Sequence, residues 1–424
     1  MKRLIVLSFI ATGLGLDAQS IGNSPYAAYG IGDVKYDNTV DLSSMGGIST
    51  AYIWDFNNQF NFKNPAANQN LELTSFKVQG TNENNFLKSD YNGVNVTKHS
   101  SYLSNISIAF PLSKKVKFGF GYQPYSSKKY NIITYTTDSE GNKTQASTFK
   151  GEGTLNTIQA AFGYSITPEF SLGLRTNFYF GKLYDTEEVA FANADLINGF
   201  ETVNKVKSFN FTLGSTYQKK LKNDRKLTLG ATYTFGTTGN FESTYTNSTY
   251  YYYGNTKTYE SIIERKNGED KNLIPQEFSL GVGFGHDAKW FVSSQIDYKS
   301  GKTVQFLAQP FTYKDSFRFS AGGWYLPNYN NFRNYFSRIV YRYGAFYEKG
   351  NLNINNTNIN QFGITLGASL PFQRSNINRM SSIDLGLELG KRGTLQNNLI
   401  NQTFVNLKIG INFADKWFEK RYYD

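Results

Sequence analysis

Residues 405–413, VNLKIGINF, carry an apolar side chain at every second position. The same alternation is present in residues 278–284, FSLGVGF, and in residues 383–389, IDLGLEL. Successive side chains of a β-strand point to opposite faces of the sheet. Each of these stretches therefore predicts a strand with one apolar face and one face of Gly, Ser, Asn, Lys or carboxylate side chains.

Two all-β architectures fit this alternation, a soluble sandwich and a membrane-spanning barrel. Many of the alternating stretches run for ten residues or more, which suits transmembrane strands of about 9–11 residues better than soluble strands of about five or six. Of the 424 residues, 17% are aromatic, including 31 Tyr and 35 Phe, and Cys is absent. Aromatic residues favour strands. The composition and the strand length together predict a closed barrel, which is the form in which strands cross a bilayer.

The N-terminus resembles a secretory signal. Lys2 and Arg3 precede the apolar stretch 4–16, and Ala18 suits the position before a cleavage site. The apolar stretch is too short to span a bilayer as a helix. We therefore predict that residues 1–18 are a signal peptide and that the mature chain is a multi-pass protein of the bacterial outer membrane.

The alternation predicts an antiparallel, up-and-down barrel of fourteen strands within residues 71–414, followed by a periplasmic tail at 415–424. The predicted strands are 71–80, 101–111, 115–125, 153–164, 168–184, 203–218, 225–240, 275–285, 289–299, 315–324, 338–348, 360–372, 382–390 and 401–413. Short turns should face the periplasm and long loops the outside. The Tyr-rich loop 241–274 has two interpretations, an extended hairpin above the membrane, which we favour, and an aromatic ligand lid.

Residues 19–70 do not alternate. They contain glycine-rich and Asn-Pro stretches, which mark turns. A long irregular segment in a compact protein needs a special place, and a large barrel has a lumen that a segment can fill. We therefore predict that residues 19–70 form a hatch, or plug, inside the barrel.

These features resemble the FadL family of outer-membrane transporters. The resemblance rests on the small-residue stretch 45–51, on Asn64-Pro65-Ala66 before the first strand, and on the strand count. Residues 24–33 and 417–421 also resemble the flavobacterial, Bacteroidetes branch of that family. The resemblance implies passive uptake of a hydrophobic or amphipathic, fatty-acid-like compound, with hatch rearrangement and lateral release into the bilayer. It makes five residues hatch or gate candidates: Gly46, Gly47, Asn64, Pro65 and Ala66.

Several charged side chains occupy positions of the predicted strands that face the inside of the barrel. Four of them are arginines, which bind carboxylates or phosphates well, and we take them as candidates for binding a ligand head group in the lumen: Arg175, Arg318, Arg338 and Arg342. The alternative, which we favour, is that the inward charges form ion pairs that hold the hatch.

The sequence offers little for catalysis. It holds two histidines, His99 and His286, which the predicted topology places at opposite ends of the barrel. We predict no enzyme activity, no catalytic residues, no metal site and no cofactor. The net charge of +11 is spread along the chain, so we expect no nucleic-acid partner.

We expect the barrel to contact outer-membrane lipid and lipopolysaccharide and to bind a hydrophobic small molecule. The alternative hypothesis is a barrel that transports nothing and serves as a subunit of a secretion or surface-attachment complex, with a periplasmic or secretion-complex protein as its partner.

Overall fold

A computed structural model describes residues 21–35, 39–90, 93, 95–270, 274–304, 311–331, 333–371 and 381–417. The predicted signal peptide and most of the predicted tail lie outside the described residues. Fourteen of the described strands close into one antiparallel barrel. They are β2 (Thr74–Ser89), β3 (Asn95–Pro111), β4 (Val116–Ser127), β6 (Lys143–Ser165), β7 (Phe170–Phe191), β8 (Ile197–Lys220), β9 (Arg225–Thr234), β12 (Glu277–His286), β13 (Trp290–Lys299), β16 (Ser316–Tyr325), β17 (Val340–Lys349), β20 (Gln361–Pro371), β21 (Ser382–Arg392) and β22 (Ile400–Asp415).

The first and last barrel strands close the ring. β2 pairs with β3 on one edge and with β22 on the other, and the second pairing runs from Thr74↔Asp415 to Ser89↔Ile400. We call the end of the barrel that holds Thr74 and Asp415 the base, and the opposite end the mouth. The predicted fourteen-stranded, up-and-down barrel is confirmed.

The predicted alternation of side chains, apolar ones facing outward and polar ones facing inward, is also confirmed. On β20, Ile364 is 61% exposed and points outward, whereas its neighbour Thr365 is 1% exposed. On β21 and β22, Leu385 and Ile409 face outward while Asp384 and Asn412 are fully buried. The barrel is therefore apolar outside and polar inside, the reverse of a soluble core.

Long strands extend the wall at the mouth. Residues 126–152, predicted as a loop, contain β5 (Tyr130–Thr137), which pairs with the outer part of β6. The predicted strand 225–240 was too long, since β9 ends at Thr234 and a new strand, β10 (Thr238–Tyr253), pairs with the outer part of β8 and with β11 (Thr256–Asp270). This finding agrees with the extended-hairpin interpretation of residues 241–274. Two short hairpins, β14 (Lys302–Val304) with β15 (Phe311–Tyr313) and β18 (Asn353–Ile354) with β19 (Thr357–Asn358), complete the sheets.

The long turn between β16 and β17 contains a 3-10 helix, Tyr335–Arg338, and Asn334 caps it by accepting a hydrogen bond from the Phe336 amide. The predicted strand 338–348 therefore began too early. Arg338 lies in this turn at the base, with its guanidinium 5.4 Å from the centre of the Tyr335 ring, and not on the inward face of a strand.

The N-terminal segment, residues 21–73, includes a 3-10 helix (Pro25–Ala28), β1 (Asp33–Val34) and a helical turn α1 (Val40–Ser43). Its apolar side chains pack onto inward-facing wall residues, and one cluster joins Met45, Tyr52 and Trp54 to Phe291 and Trp324. In the described part of the chain, no helix is long and apolar enough to span a membrane.

Candidate functional site

The wall of the barrel changes its pairing between β3 and β4. Among the described residues, these two strands pair from Pro111↔Lys117 to Ile106↔Tyr122 and no further toward the mouth. Both strands are irregular there: Ser104 is an extra residue opposite β2, and Tyr125 is an extra residue opposite β6. Extra residues of this kind bend a strand and disrupt its ladder. We call the region between residues 101–105 of β3 and residues 123–127 of β4 the wall gap.

The N-terminal segment supplies the neighbour that β4 lacks at the wall gap. β1 pairs antiparallel with β4 through Asp33↔Ser127 and Val34↔Ser126, and the Lys35 amide donates to the Tyr125 carbonyl at 2.7 Å. The opposite edge of β4 is already paired with β6 up to Ser127↔Thr154. Because a strand has only two edges, β1 occupies the edge of β4 that faces β3.

A chain of ion pairs holds β1 in this place. Lys35 Nζ lies 3.0 Å from Asp33 Oδ2 and 2.8 Å from Glu83 Oε2 on β2. Asp33 Oδ1 lies 2.6 Å from Arg392 Nη1 at the end of β21. Tyr102 Oη donates a further hydrogen bond to Glu83 at 2.7 Å. The segment is thus attached to two further wall strands, β2 and β21, which lie beyond β3 from the wall gap.

The charges around Asp33 outweigh the cost of its burial. Burial alone raises the pKa of a carboxyl group, because it disfavours the charged form. Here the nearby cations Lys35 and Arg392 dominate, and together they lower the pKa of Asp33 to about 2. Asp33 is therefore ionised at neutral pH, and its attachment to the wall is electrostatic.

A cavity of about 100 Å³ lies behind the wall gap. Its charged lining is formed by four cations and three carboxylates, which are Lys35, Arg318, Arg392, Lys408, Asp33, Glu83 and Glu388. Lys408 Nζ lies 2.6 Å from Glu388 Oε2, and Arg318 Nη1 lies 3.1 Å from Glu348 Oε2. Ser104 and Pro124, one from each side of the wall gap, reach this cavity.

The structure does not bring the four predicted arginines together. Arg318 lines the cavity behind the wall gap and also a second cavity of about 30 Å³, which Arg175 lines as well. Arg342 is 3% exposed and donates to Ser369, which in turn donates to Asp384. Arg338 is at the base, as described above. Their role as head-group ligands stays a prediction, and the pair Arg318–Glu348 fits the alternative that inward charges pair with one another.

The five hatch candidates lie in close contact with the wall. Gly46 has a φ of +72°, donates from its amide to Thr365 and accepts from Arg318. Gly47 has a φ of +88° and lines the cavity behind the wall gap. Asn64 donates to the carbonyls of Thr50 and Ser215.

The other two candidates, Pro65 and Ala66, lie against β7, next to the β8 residue that Asn64 contacts. A Cβ added to Gly173 would lie 2.4 Å from Pro65 C and 2.4 Å from the Ala66 amide nitrogen. Four of the five candidates therefore fix residues 46–66 to the wall, and Gly47 alone borders the cavity. Whether any of them acts as a gate stays a prediction.

Sequence reasoning missed Asp33, Lys35, Glu83 and Arg392. Asp33 ends the stretch Gly30-Ile31-Gly32-Asp33, which supported the family resemblance, and this was its only signal in the sequence. Among the described residues, no group of three or more His, Cys, Asp or Glu side chains is placed to hold a metal ion. His99 Nδ1 contacts Asn84 Oδ1 at 2.6 Å on the outer face of the barrel, and His286 lies at the base end of β12.

Comparisons with known proteins agree with this architecture. A family model described as BamG matches residues 1–424. No curated protein sequence matches the chain. Among solved structures, the CymD monoaromatic hydrocarbon channel is 13% identical with a TM-score of 0.58, and the match covers 91% of this chain and 99% of CymD.

Two further solved structures have the same fold. A FadL homologue from Pseudomonas aeruginosa is 11% identical with a TM-score of 0.58, covering 90% of this chain and 98% of the homologue. The Pseudomonas putida toluene transporter TodX is 16% identical with a TM-score of 0.56, covering 91% and 99%. At such identities the likeness establishes the fold alone, that of a FadL-like β-barrel.

Proposed function

The chain belongs to the BamG family, and we propose that it is an outer-membrane channel for passive uptake of small hydrophobic or amphipathic compounds. In this proposal the N-terminal segment is the hatch, the base faces the periplasm, and the mouth faces the outside. The observation that carries the proposal is the replacement of β3 by β1 as the neighbour of β4. A wall position closed by a removable segment offers a lateral exit to the bilayer.

The contacts of the hatch divide it into two parts. Residues 46–66 press their backbone against wall glycines, and a Cβ added to Gly344 would lie 2.3 Å from the Gly46 amide nitrogen. Residues 33–35 are held by ion pairs, by a two-residue strand and by the packing of Val34 against an apolar cluster. Because ion pairs and a short strand exchange more readily than interlocked backbone, we propose that residues 33–35 move and that residues 46–66 stay in place.

The proposal accounts for how the ligand reaches the membrane without crossing the base. The base holds the apolar cluster of Tyr52, Trp54 and Trp324, and in this proposal the cluster blocks passage on that side. Withdrawal of β1 would join the cavity of about 100 Å³ to the wall gap and enlarge it. No energy source enters this scheme, so uptake would follow the concentration gradient.

A cysteine pair that fixes β1 to β4 tests the proposal. Val34→Cys with Ser126→Cys joins directly paired residues, whose Cα separation suits a disulfide. The native chain has no cysteine to interfere. We expect the oxidised variant, reconstituted in liposomes, to lose uptake of a fluorescent fatty acid to the level of protein-free liposomes, and a reductant to restore it.

The matched control is Thr244→Cys with Asn267→Cys, which crosslinks an equivalent antiparallel pair in the β10–β11 hairpin. Its uptake should be the same whether it is oxidised or reduced. Equal uptake by oxidised and reduced Val34→Cys/Ser126→Cys would rule out exit through the wall gap.

A second candidate function is a barrel subunit of a secretion or surface-attachment complex that transports nothing. The small size of the two described interior cavities, about 100 and 30 Å³, favours it. Under this hypothesis the reduced Val34→Cys/Ser126→Cys variant and the unmodified chain would both show no uptake above that of protein-free liposomes, and a protein would co-purify in a fixed ratio.

A further inference from the structure

The outer face of the barrel carries a groove of about 830 Å³ that crosses β20, β21, β22, β2 and β3, and we call it the outer groove. Its floor lies over Gly80 on β2, where an added Cβ would have only the Tyr102 carbonyl oxygen, at 3.7 Å, within 4 Å. The outward side chains around this floor are apolar, and they are Leu366, Ala368, Leu385, Leu387, Leu407, Ile409 and Leu103. The outward face of such a barrel meets lipid, so the outer groove offers space for an acyl chain beside the wall.

The outer groove ends in hydrogen-bonding side chains on the side of the mouth. Asn82 is the next outward residue after Gly80 on β2, it lies opposite Ser101 on β3, and both line the groove. Asn82 donates to Ser101 at 2.8 Å, and Asn84 donates to Asn82 at 2.6 Å. An acyl chain that covered these groups would dehydrate them and return no hydrogen bond, which costs free energy. This end of the groove therefore suits a part of a ligand that forms hydrogen bonds itself.

Two lysines lie beyond the hydrogen-bonding end of the outer groove. Lys391 is the next outward residue after Leu389 on β21, and Lys88 is the next outward residue after Phe86 on β2. Both lysines are exposed, and only β22 separates their strands. From Gly80 towards the mouth, the outer face thus changes from apolar to hydrogen-bonding to positively charged. An amphiphile with an anionic head group that lay along the wall would meet these three environments in the same order.

A second groove on the outer face lacks this order. It has a volume of about 630 Å³, and Ala231 is the small outward residue of β9 that lines it. None of the described residues that line it is charged. On its mouth side the next outward residues of β9 and β12 are aromatic, Tyr233 and Phe278. Both grooves can be covered by lipid tails, but only the outer groove leads to amides and cations.

We propose that the outer groove binds one molecule of the outer-leaflet lipopolysaccharide through its lipid A part. One acyl chain lies over Gly80, the amide and hydroxyl groups near the start of the acyl chains meet Asn82 and Ser101, and a phosphate lies beside Lys391 and Lys88. The lipid stays on the outer side of the wall, and nothing passes into the lumen. The proposal takes from the proposed function only the orientation, with the mouth facing the outside, and it does not require transport.

The chemistry of Asn82 and Ser101 favours lipid A over a glycerophospholipid. An Asn side chain both donates and accepts hydrogen bonds, and so does a hydroxyl group. The amide and hydroxyl groups of lipid A can satisfy both roles, whereas the ester groups of a glycerophospholipid can only accept. The phosphates of lipid A supply the negative charge that Lys391 and Lys88 attract.

Native mass spectrometry of the full chain, released from neutral-detergent micelles, tests the proposal. The probes are bis-phosphorylated lipid A, phosphatidylglycerol as an anionic phospholipid and phosphatidylethanolamine as a zwitterionic one. We expect one lipid A molecule per chain, bound at least about fivefold more tightly than either phospholipid, which is the effect of one additional hydrogen bond.

Filling the outer groove should weaken the binding of lipid A. Gly80→Phe places a ring over the floor and should weaken binding at least about tenfold, because each methylene group that loses its apolar contact weakens binding about fourfold. Ala231→Phe fills the second groove in the same way and is the matched control, which should bind lipid A like the native chain.

Two further variants test the polar end and do not depend on how Gly80→Phe folds. Lys391→Gln should weaken lipid A binding about fivefold, and its matched control is Lys207→Gln, an exposed outward lysine on β8. Asn82→Leu should weaken lipid A binding and leave phospholipid binding unweakened, so that the preference for lipid A falls. Retained heat-modifiable mobility in gels would establish that each variant is a folded barrel.

Three results would overturn the proposal. The first is a phospholipid that binds as tightly as lipid A. The second is lipid A binding by folded Lys391→Gln and Asn82→Leu that equals that of the native chain, or equal weakening by Gly80→Phe and Ala231→Phe. The third is a lipid-free dimer that Gly80→Phe dissociates, which would assign the outer groove to a second copy of the chain. None of these results bears on the Val34–Ser126 crosslink, so the proposed function is tested separately.

Discussion

Single residues decide how tightly the N-terminal segment fits the wall. Gly344 on β17 faces Met45 and Gly46, and a Cβ added to it would lie 2.3 Å from two backbone atoms of that segment. Gly80 on β2 differs, since the nearest atom to an added Cβ is the Tyr102 carbonyl oxygen at 3.7 Å. Glycine at position 344 is thus required by a close approach of backbone to backbone, and glycine at position 80 is not.

Gly344→Ala should therefore lower the free energy of unfolding by roughly 1–3 kcal/mol, because backbone must move to admit the methyl group. Gly80→Ala is the matched control and should change it by no more than about 0.5 kcal/mol. Urea titration followed by tryptophan fluorescence measures both, since Trp54 and Trp324 lie in the contact between segment and wall. Equal stability of the two variants would mean that the segment does not press on β17.

For single residues, the sequence predicted well which way a side chain points, but it predicted the contacts of that side chain poorly. Alternation placed Arg175, Arg318 and Arg342 on the inward face, because parity is a local property of a strand. It failed for Arg338, where the strand had not yet begun and an Asn-capped 3-10 turn took its place. The pairing of Asp33 with Arg392 joins the two ends of the chain, and no local pattern in a single sequence reports such a contact.

At the scale of elements, β1 is the shortest strand in the wall and the one whose attachment depends on charge. Asp33 contributes to that attachment only while it is ionised. Because Lys35 and Arg392 outweigh burial and lower the pKa of Asp33 from 3.8 to about 2, this contribution is fully present above the ordinary value and is lost as the pH falls through the lowered one.

We therefore expect β1 to stay attached at neutral and mildly acidic pH and to detach as the pH falls from about 4 towards 2. Cleavage near residue 35 by an acid-active protease such as pepsin, added at each pH to the reduced and the disulfide-locked forms of Val34→Cys/Ser126→Cys, reports detachment. The reduced form should be cleaved more than the locked form, and the difference should grow as the pH falls from about 4 towards 2. Cleavage that does not depend on pH would remove Asp33 from the attachment.

The strands were largely predictable from the sequence, but the wall gap between β3 and β4 was not. All fourteen barrel strands were predicted, because each buries one face and exposes the other. The wall gap depends on the extra residues Ser104 and Tyr125, which look like ordinary strand residues in the sequence. The mouth extensions were underestimated, since strands such as β8 that continue beyond the membrane lose the apolar face that identifies them.

The whole molecule is a closed barrel that surrounds the N-terminal segment. Residues 46–66 of this segment are packed against the wall, and residues 33–35 are attached largely by ion pairs. The wall closes through β2 and β22, and residues 46–66 lock onto inward glycines on several strands. At the wall gap, β1 lies beside the free part of the β4 edge. The proposed uptake requires that this part of the segment moves when a ligand binds.

A distance measurement by double electron–electron resonance tests that claim most directly. Spin labels replace Ala28, near β1, and Lys220, whose side chain at the base is 80% exposed. We predict that saturating tetradecanoate or tetradecanol lengthens and broadens the distribution of the distance between the two labels. A single narrow distribution that is identical with and without either ligand, in protein shown to bind it, would contradict the account.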